Sequence, residues 1–160
     1  MIRRKTLAAA IGSAILLAAA LAGGPLMAGD DVPFKAEMTA TDQDFEPGEF
    51  PVLGTFTTTS EGTGTHIGKF TSVGVSTLVY TSAGIWFEGT ATTVAADGDE
   101  IHSETWGFTW DPGDVEGYFE ITGGTGRFDG ATGSGTISAT MGDDGVQTAV
   151  MEGRIDYKKN

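Results

Sequence analysis

From position 34 onward the chain alternates apolar and polar residues in short runs, each ended by a turn signal. In 34–41, Phe34, Ala36, Met38 and Ala40 share one parity, and in 115–122 Val115, Gly117, Phe119 and Ile121 do the same. In 101–110 the even positions carry His102, Glu104, Trp106, Phe108 and Trp110, while the odd ones are mostly small or hydroxylic. A period of two is the mark of a strand with one buried face. The pattern predicts strands near 34–41, 52–59, 64–73, 75–82, 85–95, 101–110, 115–122, 134–141 and 146–157. Asp97-Gly98 and Asp144-Gly145 suit hairpin turns, and Asp111-Pro112-Gly113-Asp114 sets a turn through its proline. No long run repeats apolar residues at helical spacing. The expected fold is all-β, a closed antiparallel barrel of about eight strands, with a sandwich as the open alternative. Closure removes exposed strand edges, which favours the barrel in a protein that meets many others.

The segment 123–135, GGTGRFDGATGSG, is dense in glycine. A phosphate loop needs a helix behind it, but Ser134 to Met141 reads as a strand and no Lys-Ser/Thr follows. As barrel geometry the run makes sense. Gly123 and Gly124 permit a bulge, Phe128 plugs a barrel end, and Gly130, Gly133 and Gly135 let the next strand coil tightly.

The run Ile121–Gly133 also resembles the T-G-G-[ST]-G-x-F-x-G-x-x-G segment of allene oxide cyclases and the G-G-T-G-x-F segment of plant dirigent proteins. The strand His66-Ile67-Gly68-Lys69-Phe70 and the hairpin at Gly98-Asp99 are similar to features of the same superfamily. The resemblance implies an eight-stranded antiparallel barrel with an apolar cavity, often assembled as a trimer. It carries no catalytic residue across. The cyclase acid has no counterpart in Phe34-Lys35-Ala36-Glu37-Met38, and the cysteine linked to the cyclase site is missing because the chain has none.

Arg3, Arg4 and Lys5 followed by the uncharged apolar run Leu7–Ala22 have the layout of a secretory signal peptide, with small-residue cleavage sites at Ala22 or Ala28. The expectation is an exported protein with a signal peptide over 1–28, one domain over 29–160, and no stable membrane span after cleavage. Beyond Ala28, six basic residues face 22 acidic ones, a formal charge of −16. A surface that acidic repels nucleic acid, which depends on Lys and Arg to replace its counterions. With no cysteine there is no disulfide and no thiolate metal site.

Candidate chemistry is sparse. His66 with Glu104, or His102 with Glu88, would form acid–base pairs if they faced one cavity. No local spacing of ligands suggests a metal, and no cofactor is expected. The aromatic set is more informative: Trp86, Trp106, Trp110, Tyr80 and Tyr118 fall on neighbouring predicted strands. Trp106 and Trp110 share parity with His102 and Glu104, and that face is expected to point into the barrel. Arg127, in the glycine run, would meet an anionic head group or a neighbouring carboxylate such as Asp129. The ligand-binding candidates are therefore His66, Trp86, Glu88, His102, Glu104, Trp106, Trp110, Tyr118 and Arg127. The leading expectation is a barrel that binds a small apolar molecule in its cavity. An isomerase or cyclase, and a structural barrel with a filled core, remain open.

Overall fold

The computed structural model describes residues 31–110 and 114–158. The predicted leader and the turn at 111–113 lie outside the described residues. Eight strands pair antiparallel in chain order, and the last closes on the first. They are β1 (Val32–Pro47), β2 (Val52–Gly64), β3 (Gly68–Thr81), β4 (Gly84–Ala95), β5 (Glu100–Thr109), β6 (Val115–Gly124), β7 (Thr132–Met141) and β8 (Gln147–Asp156). A single 3-10 turn, Gly126–Phe128, separates β6 from β7.

The nine predicted runs fold as eight strands. The runs 64–73 and 75–82 are one strand, β3, which passes through Gly74 without a break. Gly74 faces inward between Thr58 and Ala91. The turn lies instead at Thr65-His66-Ile67. There the Ile67 N–H donates to the Thr65 carbonyl at 2.8 Å, and His66 takes a left-handed φ of 66°. None of these residue types advertises a turn.

The core gathers at one end of the barrel, where Phe34, Phe70, Ile101, Phe119, Ile121, Phe128 and Ile155 are all buried. Phe119, Phe128 and Ile155 are completely enclosed. Phe128 sits under the mouth of this end as a plug, with the Tyr157 ring 5.4 Å away. Further along the interior the rings lie over glycines. Phe87 packs against Gly107 and Gly117, and Phe119 against Gly135. A side chain at those glycines would occupy the space of the ring, so the glycine-rich strands are what let phenylalanine fill the barrel. The foreseen bulge is present: His102 pairs with Gly123 and Ser103 with Ile121, leaving Thr122 as the extra residue of β6.

The glycine run also carries a tether. The Arg127 backbone N–H donates to the Asp99 carboxylate at 3.0 Å. The Arg127 guanidinium pairs with Asp97 and lies 3.6 Å from Asp99, and it stacks over the Phe128 ring. The plug is thus tied to the β4–β5 hairpin, in which Gly98 adopts the expected positive φ. Lost hydration acts to raise the Asp97 carboxyl. The Arg127 hydrogen bond, nearby backbone N–H groups and the guanidinium charge outweigh it and hold Asp97 below its ordinary 3.8. A lowered folded-state pKa contributes stability above the ordinary value and loses it as pH falls through the folded one. Asp97→Asn should therefore melt below wild type at neutral pH, and the gap should close below 3.8. Thermal melts across that range check this, and a gap that persists in acid would contradict it.

Candidate functional site

Residues paired directly across two strands share a face of the sheet. Glu88 pairs with Trp106, which pairs with Tyr118; Trp86 pairs with Phe108, which pairs with Glu116. Tyr118 is 57% exposed and Trp110 59%, whereas Ile101, Ser103 and Gly107, on the opposite face of β5, are buried. The face bearing Glu104, Trp106 and Trp110 is therefore the outer one, and the expectation that it lines the interior is corrected. The reason is volume. Phe87 from β4 and Phe119 from β6 already fill the barrel beside β5, and Gly107 provides the space for the Phe87 ring. An indole turned inward there would displace them.

On the outside these side chains form an aromatic strip made of two ring clusters. Trp86 meets Phe108 edge-on at 5.0 Å, Phe108 stacks on Trp110 at 6.0 Å, and Trp106 stacks on Tyr118 at 6.3 Å. Val79 extends it onto β3 as the cross-strand neighbour of Trp86. Carboxylates punctuate the strip. Glu88 lies beside Trp106, Glu116 beside Phe108, and Glu104 directly opposite Glu120. No Lys or Arg occurs on β4, β5 or β6. Like charges in directly opposed positions destabilise a sheet by a few tenths of a kcal/mol, so this pairing is not one that stability alone selects.

The remaining predicted residues lie apart from the strip. His102 shares the outer face but bonds Glu100, with Nε2 2.9 Å from Oε2, rather than Glu88. His66 sits at the plugged end, far along the chain's ladder from Glu104, with its Nε2 3.0 Å from the Pro33 carbonyl and its ring 5.4 Å from Tyr157. Neither acid–base pair forms. Arg127 is taken up by Asp97 and Asp99, while Asp129 bonds Lys158 at 2.9 Å instead. Among the described residues no three His, Asp or Glu side chains converge as metal ligands do.

The interior offers little room near the plug. The cavity lined by Phe34, Ala36, Met38, Ile67, Phe70 and Met151, among others, measures about 20 Å³, space for roughly one water molecule. Thr93 and Ser103 are its polar lining; Ser72 bonds Thr93 at 3.0 Å, Ser60 is buried elsewhere in the interior, and the Gln43 amide donates to Gln147 further along. No inward strand position among the described residues carries an ionisable acid or a histidine. A larger open groove of about 1090 Å³ takes consecutive residues of both parities from β8, β1, β2, β3 and β4, so it crosses the sheet rather than entering the barrel. Thr39, Thr63, Thr71 and Glu61 border it, and none of the predicted site residues does. The exposed strip was missed as a surface because alternation reports that two faces differ, not which one is inside.

No protein-family model and no curated protein matches the sequence. Solved structures do match its fold. The pterocarpan synthase dirigent proteins PsPTS1 and GePTS1 superpose with TM-scores of 0.56 and 0.58, each at 15% identity over 81% of this chain. The match covers 96% and 88% of those two chains. The closed order of eight antiparallel strands and the superposition agree, and the chain has the barrel fold of those dirigent proteins.

Proposed function

We propose that the protein is an exported, non-catalytic binding barrel that takes small apolar molecules on the outer aromatic strip of β4–β6. The observation that carries this reading is the strip itself: three tryptophans, Tyr118 and Phe108 share one solvent-facing surface, ringed by carboxylates without a cation. Stacked rings give area and a flat apolar contact, and the carboxylates accept hydrogen bonds from a ligand's edge. The same carboxylates repel a fatty-acid head group, so the favoured ligand is neutral or cationic with hydroxyl or amine donors. An interior with no acid at its inward strand positions supports binding over a cyclase reaction that relies on an acid inside the barrel. The basic and apolar start of the chain supports export.

Tryptophan fluorescence titrated with terpenoid alcohols, phenols and fatty acids tests the reading. Alcohols such as menthol should bind and fatty acids should not, and Trp106→Ala should weaken binding about tenfold. Glu104→Gln should alter affinity for hydroxylated ligands while raising stability by a few tenths of a kcal/mol, because it relieves the repulsion with Glu120. Binding that survives Trp106→Ala together with Tyr118→Ala would overturn the assignment of the site.

A further inference from the structure

The end of the barrel opposite the plug has a different character. Its described strand ends and connecting residues present apolar side chains to solvent: Phe50 is 81% exposed, Trp110 59%, Tyr80 55%, Phe45 45% and Val146 36%. Phe50 and Tyr80 lean together, ring centres 6.2 Å apart, and form the joined part of this rim. Contiguous exposed apolar area of this kind marks an interaction site. At the plugged end the corresponding rings of Phe34, Phe70 and Phe128 are buried.

Charge is divided along the same axis. All described lysines and arginines, Lys35, Lys69, Arg127, Arg154 and Lys158, lie in the plugged half. The rim half carries Asp42, Asp44, Glu46, Glu49, Asp143 and Asp144, with no described cation among them. We infer that this rim docks a polypeptide partner that presents apolar and basic side chains together, an amphipathic Lys/Arg-rich segment. Complementarity selects the occupant. A second copy meeting rim to rim would set carboxylates against carboxylates. A second copy meeting by its plugged end would offer cations that, Lys69 apart, are already engaged: Lys35 with Glu37 and Glu152, Arg127 with Asp97 and Asp99, Arg154 with Asp31, and Lys158 with Asp129. An anionic membrane surface is repelled by the same acids. A basic amphipathic segment satisfies both parts of the rim, its apolar side chains on Phe50 and Tyr80 and its cations on the flanking carboxylates.

The test uses the mature chain and a fluorescein-labelled peptide of alternating lysine and leucine, read by anisotropy at several salt concentrations. An alternating glutamate–leucine peptide is the control. The lysine peptide should bind and the glutamate peptide should not. Phe50→Ser with Tyr80→Ser should weaken binding about tenfold. Glu46→Gln, Glu49→Gln, Asp143→Asn and Asp144→Asn combined should weaken it and flatten its salt dependence. Glu88→Gln, Glu104→Gln and Glu120→Gln, which remove charge from the outer strip, should leave it within about twofold. Far-UV circular dichroism confirms that each variant keeps its barrel. Equal loss from the outer-strip variant would show binding to net charge alone and overturn the proposal. Flotation of the protein with phosphatidylcholine vesicles that requires Phe50 and Tyr80, with peptide binding indifferent to both, would overturn it in favour of a lipid surface.

Discussion

Truncation of Phe119 to alanine is expected to lower the free energy of unfolding by about 3–5 kcal/mol. Phe119 is completely buried, meets Phe34 edge-on at 5.9 Å and presses against Gly135 on the neighbouring strand. Its removal leaves a void in a region whose existing cavity is only about 20 Å³, and the rigid, closed ladder limits collapse into that void. Denaturant titration should show a lower midpoint with an unchanged slope. Trp106→Ala, which removes a larger ring from the outer face, should cost much less. If the two truncations were equally destabilising, the assignment of inner and outer faces on β5 and β6 would be wrong.

Gly126→Val is expected to cost about 3 kcal/mol or more, from two sources that a comparison separates. Gly126 has φ of 58°, a conformation in which a β-branched residue is strained by about 1–3 kcal/mol. A Cβ at this position would also run into the Asp99 carboxylate, the acceptor of the Arg127 N–H, and so would break the tether between plug and hairpin. Gly130, with φ of 73°, has nothing within 4 Å of the same added atom. Gly130→Val should therefore show the strain alone, and the difference between the two variants measures the tether. Equal melting temperatures for the two would mean that Asp99 moves aside freely.

The sequence made the barrel legible where alternation was paired with volume. On β1 and β6 the apolar parity contains Phe34, Ala36, Phe119 and Ile121, and the structure buries all four. Phe128 was recognisable as a plug because a lone aromatic amid glycines, between two strands, has only a barrel end to fill. On β5 the same logic pointed the wrong way. Both faces there contain apolar atoms, and the heavier face is outside because neighbouring strands supply the rings that fill the interior. The glycine at 107 was the available signal, since a small residue opposite Phe87 and Gly117 marks where a neighbour's ring lies. The β2–β3 turn was illegible for a different reason. His66 holds a left-handed conformation through contacts with Pro33 and Tyr157, which are remote in sequence. The pairing of Arg127 with Asp97 and Asp99 likewise depends on a hairpin about 30 residues away.

The division of labour between a sealed interior and a decorated exterior is open to direct observation. The most decisive measurement is an NMR titration with menthol that follows the indole N–H signals of Trp86, Trp106 and Trp110 beside the methyl signals of Ile101, Ile121 and Ile155. Binding on the outer strip predicts that the indole signals shift in a saturable way while the three interior isoleucines stay still. Movement of the isoleucine methyls with the indoles unmoved would place the ligand inside the barrel and contradict the outer-face site.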